Sequence, residues 1–360
     1  MNDRNAFIII DSGFAPAVLN RARNVMAFYD LPTGEFATGA PLHERAALDR
    51  FAGDVYGNHG SEVLSRLLDR VPEATLILVR AYGADRRLVR TGWDNGTVSR
   101  YGWSDAYLKA VELCRQRGYS SVANCSFGGY IHAMDGTGWE SYSLGQATGR
   151  GRPGHIVVAG AGPGDGGAVH ASLLLQQGQM RTLKARQHGD ARYNFWAKDG
   201  CSWTLTAFKY GQPIFWQSSA QVPANIWNGL KQVTFDLSGR GDIDLEVVVS
   251  DEPHQARTAC RFDCWLEGDG NFLNYVDPNA VAEPACFASV IAVGLRNGQY
   301  SARQGYPGEK PDVLLPGDGP VSFRLPEVTA LVGKLLAQNP HLDVDGVRCL
   351  LGKYPDVSAY

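Results

Sequence analysis

Residues 155–167, HIVVAGAGPGDGG, decide between two folds for this chain. An apolar run typical of a buried β-strand leads into a loop where Gly162, Gly164 and Gly167 follow the spacing G-x-G-x-x-G. In a dinucleotide-binding fold, a helix follows such glycines directly and an acidic residue closes a second strand. Here AVHASLLLQQ is only marginally helical, and polar, basic and then β-rich sequence follows it. The pattern therefore favours an active-site wall in a different α/β fold.

Short apolar segments alternate with helical patterns through the first 165 residues. Such alternation predicts a mostly parallel β-sheet that is flanked by helices. In the helical stretch SDAYLKAVELCRQRG, Ser104 is the expected N-cap and Gly118 the expected C-cap. We expect strands in AFIII, ATLILVRAY, SSVANCSF and HIVVAG, and a further helix in SEVLSRLLDRV.

Residues 168–275 have a different composition, rich in β-branched and aromatic residues. SWTLTAFKY, PIFWQSS, QVTFDLSG and DIDLEVVVSDEP are separated by Gly, Pro, Ser and Asp. This pattern predicts consecutive antiparallel strands and an inserted, jelly-roll-like β-sandwich. Beyond it, ASVIAVGL predicts a buried strand, and PEVTALVGKLLAQNP and VDGVRCLLGKY predict helices. We therefore expect one α/β domain built from residues 1–167 and 276–360, with residues 168–275 inserted into it.

Three residues of catalytic type lie at junctions between these elements. Asp11 ends the first strand in IIIDSGF, at the edge where open α/β sheets place their sites. His59 begins a helix in GNHGSEVLSRLL, and Ser322 precedes the late helix, with Pro326 in its first turn. Each has a structural alternative as a turn residue, an ordinary histidine or a helix cap. The order Asp, His, Ser is nevertheless one of those known for serine nucleophiles activated by a histidine.

Six segments in the same order make the chain similar to the subtilisin-like serine protease family. DSGF resembles the family motif D-[ST]-G, and HGSEV resembles H-G-T-H-V. VANCSFGG resembles the strand that ends in S-x-G-G, and VIAVGL and KPDVLLPG resemble two later family segments. SFRLPEVTALVGKLL resembles the S-x-A-x-P-H-V-A-G segment around the nucleophile. The resemblance implies a three-layer α/β fold with a mostly parallel sheet, and a serine endopeptidase.

The resemblance also implies a role for each residue. Ser322 would attack the scissile carbonyl and carry the acyl group, and His59 would transfer the proton. Asp11 would orient the imidazole and stabilise its cation. An extended peptide would bind along an edge formed by Ser126, Phe127, Gly128 and Gly129.

Several positions depart from the family pattern. Pro163 takes the place of an asparagine that donates to the oxyanion, and Asp165 could donate instead only when protonated. Pro320 and Val321 replace the usual Gly-Thr before the nucleophile, and Glu62 adds a carboxylate near the site. These departures leave an alternative function open, in which an impaired pseudoprotease binds peptide or protein in an inherited cleft.

Composition narrows the range of partners. The net charge is only -3, and Lys and Arg are scattered, so no nucleic acid partner is expected. The sequence contains no apolar run long enough to span a membrane. We expect a peptide or protein substrate, with the β-rich insert as a further surface for a partner protein. No acidic loop has the spacing of a calcium site, so no cofactor or metal is expected.

The seven cysteines and the N-terminus favour a cytoplasmic protein. The cysteines are odd in number and mostly isolated, which predicts reduced, buried thiols. The segment MNDRNAFIII lacks the basic and apolar regions of an export signal. Cys260 and Cys264 leave half of a zinc site as an alternative, although no second Cys/His pair at ligand spacing follows them.

Overall fold

The computed structural model describes residues 4–39, 52–94, 97–162, 168–197, 201–250, 259–296 and 310–352. The strands are β1 (Asn5–Asp11), β2 (Gly13–Phe14), β3 (Asn24–Asp30), β4 (Glu35–Thr38), β5 (Gly53–Asp54), β6 (Thr75–Arg80), β7 (Gly92–Asp94), β8 (Thr97–Arg100), β9 (Ser120–Cys125), β10 (His155–Gly160), β11 (His170–Leu175), β12 (Met180–Ala197), β13 (Trp203–Lys209), β14 (Gln212–Ser218), β15 (Lys231–Leu237), β16 (Gly241–Val249), β17 (Cys260–Phe272), β18 (Val290–Leu295) and β19 (Val313–Leu315). The helices are α1 (Pro16–Leu19), α2 (His59–Arg70), α3 (Trp103–Arg117), α4 (Trp139–Gly145), α5 (Leu325–Gln338) and α6 (Val344–Leu351), with 3-10 turns at Ser219–Gln221 and Val321–Phe323.

A central sheet of eight strands carries Asp11 at the end of β1. Its strands lie in the spatial order β19, β18, β10, β9, β1, β6, β3, β4, and β4 is antiparallel to its neighbour whereas the other pairs are parallel. Strand β1 lies between β6 and β9, with Ile8 opposite Ile77 and Ala123. Every residue of β1 is buried, since helices cover both faces of the sheet.

The two faces of β1 belong to two helical layers. Phe7 and Ile9 pack in one core with the apolar residues of α2, α5 and α6. Ala6, Ile8 and Ile10 pack in the other with those of α3 and α4. This alternation follows from the two-residue period of a strand. The predicted α/β class, with a mostly parallel sheet between helices, is confirmed.

The predicted cap of α3 is correct at one end and wrong at the other. Gly118 ends the helix in the left-handed region, with φ of 70°, as expected. Ser104 lies inside the first turn, and Gly102 is the N-cap, its N–H donating to the Asp105 carboxylate at 2.8 Å. A side chain at Gly102 would lie 2.2 Å from the Thr91 backbone nitrogen, so packing excludes a capping hydroxyl there.

The inserted segment forms an antiparallel sheet, as predicted. Its strands lie in the order β11, β17, β12, β16, β13, β14, and β15 pairs with β12. Strand β12 is 18 residues long and changes register between Gln187 and Ala191, which lets the sheet turn back on itself. Phe195 and Phe262 therefore stack on each other, and both rings meet Trp203 edge to face. Trp203 belongs to β13, which pairs with neither β12 nor β17. The layers of the sandwich are parts of one continuous sheet.

The presence of strand β11 also excludes the dinucleotide-binding fold considered for the glycine-rich loop. It occupies the stretch in which that fold requires a helix, so the phosphate-binding arrangement is absent from the described residues 168–175.

Two cysteines depart from the predicted reduced state. Cys201 and Cys260 form a disulfide that links the beginnings of β13 and β17. The zinc half-site expected as an alternative is therefore not available, because Cys260 is already bonded. Cys264 is a buried thiol. The sequence gives no hint of this pairing, because 59 residues separate the two partners.

Within the described residues, none of the helices has both the length and the apolar character needed to cross a membrane.

Candidate active site

The end of β1 places Asp11 beneath the first turn of α2. The Asp11 side chain is 2% exposed, and its Oδ1 accepts hydrogen bonds from the Ser12 backbone N–H at 2.7 Å and from His59 Nδ1 at 2.7 Å. Nδ1 of His59 is therefore the donor, which leaves Nε2 facing away from the carboxylate. This tautomer is the one needed for a general base that works through Nε2.

A glycine permits this close approach of helix and strand. A Cβ at Gly60 would lie 2.4 Å from the Gly13 carbonyl oxygen and 2.9 Å from Asp11 Cβ. Such contacts are shorter than van der Waals distance, so any other residue would push α2 away from β1. Glycine at position 60 thus allows α2 to approach β1 closely enough for His59 to reach Asp11.

Asp54 fixes the same corner through two hydroxyl groups. Its Oδ1 accepts from Ser12 Oγ at 2.7 Å, and its Oδ2 accepts from the backbone N–H and the hydroxyl of Ser61 at 3.0 and 2.9 Å. The Asp54 carboxylate thereby caps the start of α2, where negative charge is favourable. Sequence reasoning missed this residue, because its role depends on a fold contact with both Ser12 and Ser61.

The pKa of His59 reflects these neighbours. Burial lowers it, but the hydrogen bond to Asp11 and the negative charges of Asp11 and Asp54 raise it more. The pKa is consequently above the ordinary value for a histidine. His59 therefore gains a proton more readily than a free imidazole does.

Ser322 lies in the 3-10 turn that precedes α5. The resemblance placed it at the N-terminus of the helix, whereas the structure places it within a separate 3-10 turn, and the helix starts later, at Leu325. Pro320 is the N-cap of that turn, and its carbonyl accepts from the Phe323 N–H at 3.2 Å. The proline therefore serves as an acceptor in the loop that presents Ser322.

Ser322 and Ser126 bind each other reciprocally. The Ser322 hydroxyl donates to the Ser126 carbonyl at 3.0 Å, and the Ser126 hydroxyl donates to the Ser322 carbonyl at 3.2 Å. Asn124 Nδ2 donates to Ser126 Oγ at 2.8 Å, which orients that hydroxyl. In the unliganded protein the candidate nucleophile thus rests on the predicted substrate edge.

One cleft of about 260 Å³ brings most of the predicted residues together. Six residues that the sequence predicted for the site line this cleft: Asp11, His59, Ser126, Phe127, Gly128 and Ser322. Gly129 lies behind them, where its N–H donates to the Glu283 carbonyl at 3.3 Å and its carbonyl accepts from the Glu283 N–H at 3.2 Å. The Gly129 backbone is therefore already paired and supports the edge from behind. Pro163 and Asp165, the predicted oxyanion residues, lie outside the described residues.

Two tyrosines on the cleft wall escaped sequence reasoning. Tyr56 and Tyr82 line the cleft with ring centroids 5.2 Å apart, and Tyr82 faces Phe127 at 6.4 Å. Tyr82 follows β6, which runs parallel to β1, so both chains reach the same edge of the sheet. The position of Tyr82 directly after a predicted parallel strand could therefore have indicated that it lies near Asp11. The position of Tyr56 depends on the loop before α2 and had no such signal.

Glu62 does not add the expected charge to the site. Its side chain is on the exposed face of α2 and pairs with Arg66 Nε at 2.8 Å. The departure from the family pattern at position 62 therefore does not change the charge of the site. Arg324 and Glu327 likewise pair with each other at 2.8 Å beside the turn.

A second charged cluster lies behind the edge. His132, Glu140 and Glu283 bring ligand-type atoms within 4.8 Å of one another. Arg90 Nη1 already lies among them, 3.1 Å from Glu140 Oε1, 3.0 Å from Glu283 Oε1 and 3.3 Å from His132 Nε2. The guanidinium thus occupies the place that a metal cation would need. Burial raises the pKa of Glu283, whereas His132 and Arg90 lower that of Glu140 to about 2 against the effect of burial.

Comparison with known proteins identifies a similar fold but does not assign the chain to a family. No family model matches the chain, and no curated protein is similar to it. Among solved structures, the CspB protease of Clostridium perfringens is similar at 15% identity and a TM-score of 0.70, over 98% of this chain and 87% of that one. A lanthipeptide protease reaches a TM-score of 0.28 at 17% identity, over 45% of this chain and 41% of that one, which is too low for any argument. The chain therefore has an α/β fold similar to that of the CspB protease.

Proposed function

We propose that this protein is a serine endopeptidase that hydrolyses peptide bonds through Asp11, His59 and Ser322. The observation that carries the proposal is the 2.7 Å hydrogen bond between His59 and a buried Asp11, in the same cleft as Ser322. The likeness of the fold to a protease supports a proteolytic function in general. A peptide or protein is the substrate class, because a cleft edge with little side chain at Gly128 suits an extended backbone.

The proposed reaction uses one proton carrier. Ser322 Oγ attacks the scissile carbonyl carbon while its proton passes to His59 Nε2, and a tetrahedral intermediate forms. The same proton then moves to the leaving amine as the C–N bond breaks, which leaves an ester on Ser322. Water, deprotonated by His59, hydrolyses the ester and returns the hydroxyl to Ser322. Asp11 stabilises the imidazolium through both steps.

The oxyanion requires a donor near Ser322. We assign the Ser322 backbone N–H to it, because this group has no hydrogen-bond acceptor among the described residues. Pro163 has no N–H and cannot supply the second donor to the oxyanion. We propose Asp165, in its protonated form, as that donor. Loss of one such donor typically lowers turnover by about two to three powers of ten. In the alternative in which the Ser322 N–H acts almost alone, the enzyme would accordingly be slow.

One observation favours an alternative, a pseudoprotease that binds peptides without cleaving them. The Ser322 hydroxyl donates to the Ser126 carbonyl, and no bond from it to His59 is present among the described residues. If the protein is a protease, a backbone N–H of the extended substrate donates to the Ser126 carbonyl in place of the Ser322 hydroxyl. The hydroxyl is then free to donate to His59. In the alternative, the hydroxyl stays where it is.

Labelling with a fluorophosphonate decides between the two functions. This probe forms a covalent bond only with an activated serine, so wild-type protein should be labelled and Ser322→Ala should not. Ser65→Ala is the matched control, because Ser65 accepts from Arg21 on the outer side of α2 and should leave labelling unchanged. Absence of labelling in folded wild-type protein at every pH tested would reject the protease, and binding of fluorescein-casein by the same sample would then support the pseudoprotease.

A further inference from the structure

Two amide side chains of the inserted sheet bind the backbone that directly follows the cleft edge. Asn194, in β12, donates through Nδ2 to the carbonyl of Tyr130 at 2.5 Å and to that of His132 at 3.1 Å. Gln232, in β15, donates through Nε2 to the carbonyl between them, that of Ile131. Three consecutive carbonyls of the α/β domain are thus bound by residues of the insert.

The two amides also hold each other. Gln232 Nε2 donates to Asn194 Oδ1 at 2.8 Å, and Thr234 Oγ1 donates to the same oxygen at 3.3 Å. Asn194 is 1% exposed. A buried amide whose donor and acceptor atoms are both engaged is restricted to one orientation. The insert therefore presents a rigid pair of donors to residues 130–132.

Apolar contacts join the insert to the same part of the α/β domain. Trp196 and Trp265, from β12 and β17, are buried in one core with Tyr130 and Ala133. Their rings lie on the side of the sheet that faces the domain, whereas Phe195 faces the interior of the insert. The donors of Asn194 and Gln232 thus sit on a packed interface and cannot shift independently of it.

The edge is held at its other points by the α/β domain itself. Ser126 is bound to Ser322, and Gly129 is paired with Glu283. The Glu283 carboxylate is in turn bound by Arg90 Nη1 at 3.0 Å. Residues 130–132 are the continuation of this edge, and their carbonyls depend on the insert for these hydrogen bonds.

We propose that the inserted sheet positions the substrate-binding edge, with Asn194 and Gln232 as positioning residues. This inference rests on the proposed peptidase function. Both side chains act on the backbone of residues 130–132 and through it on residues 126–129. A peptide that pairs with an edge needs the donors and acceptors of that edge in fixed positions. The insert accordingly affects the binding of extended peptides and leaves the chemistry at Ser322 unchanged.

The test compares Gln232→Ala with Gln187→Ala. Gln187 is the matched control, because its Nε2 donates to the carbonyls of Gly189 and Leu237 at 2.7 and 2.6 Å, both inside the insert. Gln232→Met removes the same donors as Gln232→Ala, while it keeps the length of the side chain and adds no charge. Steady-state rates are measured on a panel of tetrapeptide p-nitroanilides, and on p-nitrophenyl acetate, which has no extended backbone. Melting temperatures are measured for every variant.

Both Gln232 variants should raise KM for the peptides about threefold to tenfold, the effect of losing one net hydrogen bond. Their kcat and their rates on p-nitrophenyl acetate should stay within about twofold of wild type, since the catalytic groups are untouched. Gln187→Ala should lower the melting temperature without changing KM. Equal KM values for Gln232→Ala and Gln187→Ala, or a fall in kcat alone, would overturn the proposal.

Hydrogen exchange separates this inference from the function on which it rests. In Gln232→Ala, the amides of residues 127–132 should exchange about tenfold faster than in wild type, because their segment has lost a fixed point. The amides of β1 should be unchanged. Unchanged exchange in residues 127–132 overturns the positioning role. Faster exchange there in a protein that hydrolyses no peptide supports the positioning role and rejects only the peptidase.

Discussion

His59 and Asp11 share a hydrogen bond of 2.7 Å between Nδ1 and Oδ1, and the carboxylate is almost completely buried. The bond joins the end of β1 to the first residue of α2, 48 positions later. It fixes both the tautomer and the direction of the imidazole.

Replacement of Asp11 by asparagine should abolish most activity without unfolding the protein. An asparagine can keep the shape of the corner, but its amide donor favours the wrong tautomer of His59. By analogy with aspartate replacement in serine proteases, the rate of labelling should fall about 10⁴-fold. The measurement is the rate of fluorophosphonate labelling, with the melting temperature as a check on folding. Labelling of Asp11→Asn at the rate of wild type would show that Asp11 has no catalytic role.

The acid limb of the activity profile should lie above the ordinary pKa of histidine, about 6.5. The neutral imidazole is the active form, so activity falls as pH drops through the raised pKa of His59. Asp54→Asn removes a negative charge that raises this pKa and should move the limb to lower pH. Glu62→Gln is the control, because Glu62 is exposed and paired with Arg66, and it should leave the limb in place. The profile is measured as labelling rate against pH. A limb that Asp54→Asn leaves unmoved, or moves upward, would contradict this assignment.

Gly60→Ala should separate His59 from Asp11. The added methyl would lie 2.4 Å from the Gly13 carbonyl oxygen, and α2 has to move to relieve that contact. We expect a loss of about 1–3 kcal/mol in the free energy of unfolding, as for other overpacked sites. Labelling should slow by about 10²-fold, because a misplacement of the reacting groups by about 1 Å costs about that much. Gly145→Ala is the matched control, since nothing lies within 4 Å of a Cβ there. Equal labelling rates for the two variants would show that the approach of α2 is not critical.

Reduction of the Cys201–Cys260 disulfide should destabilise the inserted sheet. The bridge closes a loop with a sequence separation of 59 residues. The chain-entropy account predicts a contribution of about 4 kcal/mol for a loop of that size. Thermal unfolding with and without dithiothreitol measures this effect, and Cys201→Ala/Cys260→Ala should show no response to the reductant. A wild-type melting temperature that is insensitive to complete reduction would contradict the prediction.

Much of the α/β domain can be predicted from the sequence, because its signals are local. The run Ile8–Ile10 is apolar throughout and is buried against both helical layers, and Asp11 follows it where the strand ends. The helix of residues 59–70 repeats its apolar positions at helical spacing. Such patterns depend on the residues themselves and require no knowledge of distant contacts.

The long strands of the insert were missed for a physical reason. In β12 the inward positions include Ala185, Gln187 and Ala191, which are small or polar and give little apolar periodicity. The amide nitrogen of Gln187 is buried there because it donates to the carbonyls of Gly189, in the same strand, and of Leu237, in β15. The disulfide and the contacts of Asn194 likewise join residues far apart in the chain. No local pattern marks them.

The candidate site likewise contains some residues that local sequence patterns predict and others that only tertiary contacts bring there. Asp11, His59 and Ser322 each lie in a recognisable segment, so their meeting could be expected. Asp54, at the end of β5, and Tyr56, in the turn before α2, reach the site through a segment whose path is set by tertiary contacts. The backbone of Gly129 is paired rather than open, and only the position of Glu283 reveals this.

A single short segment connects the two walls of the cleft. The Ala282 N–H donates to the Ala161 carbonyl at 2.9 Å, and the next residue, Glu283, exchanges two hydrogen bonds with Gly129. The walls therefore cannot spread without breaking bonds to the same dipeptide. In the proposed peptidase, a cleft of fixed width would require a substrate chain to become extended before it binds. Loops and unfolded segments of a protein substrate would meet that requirement, whereas its packed helices would not.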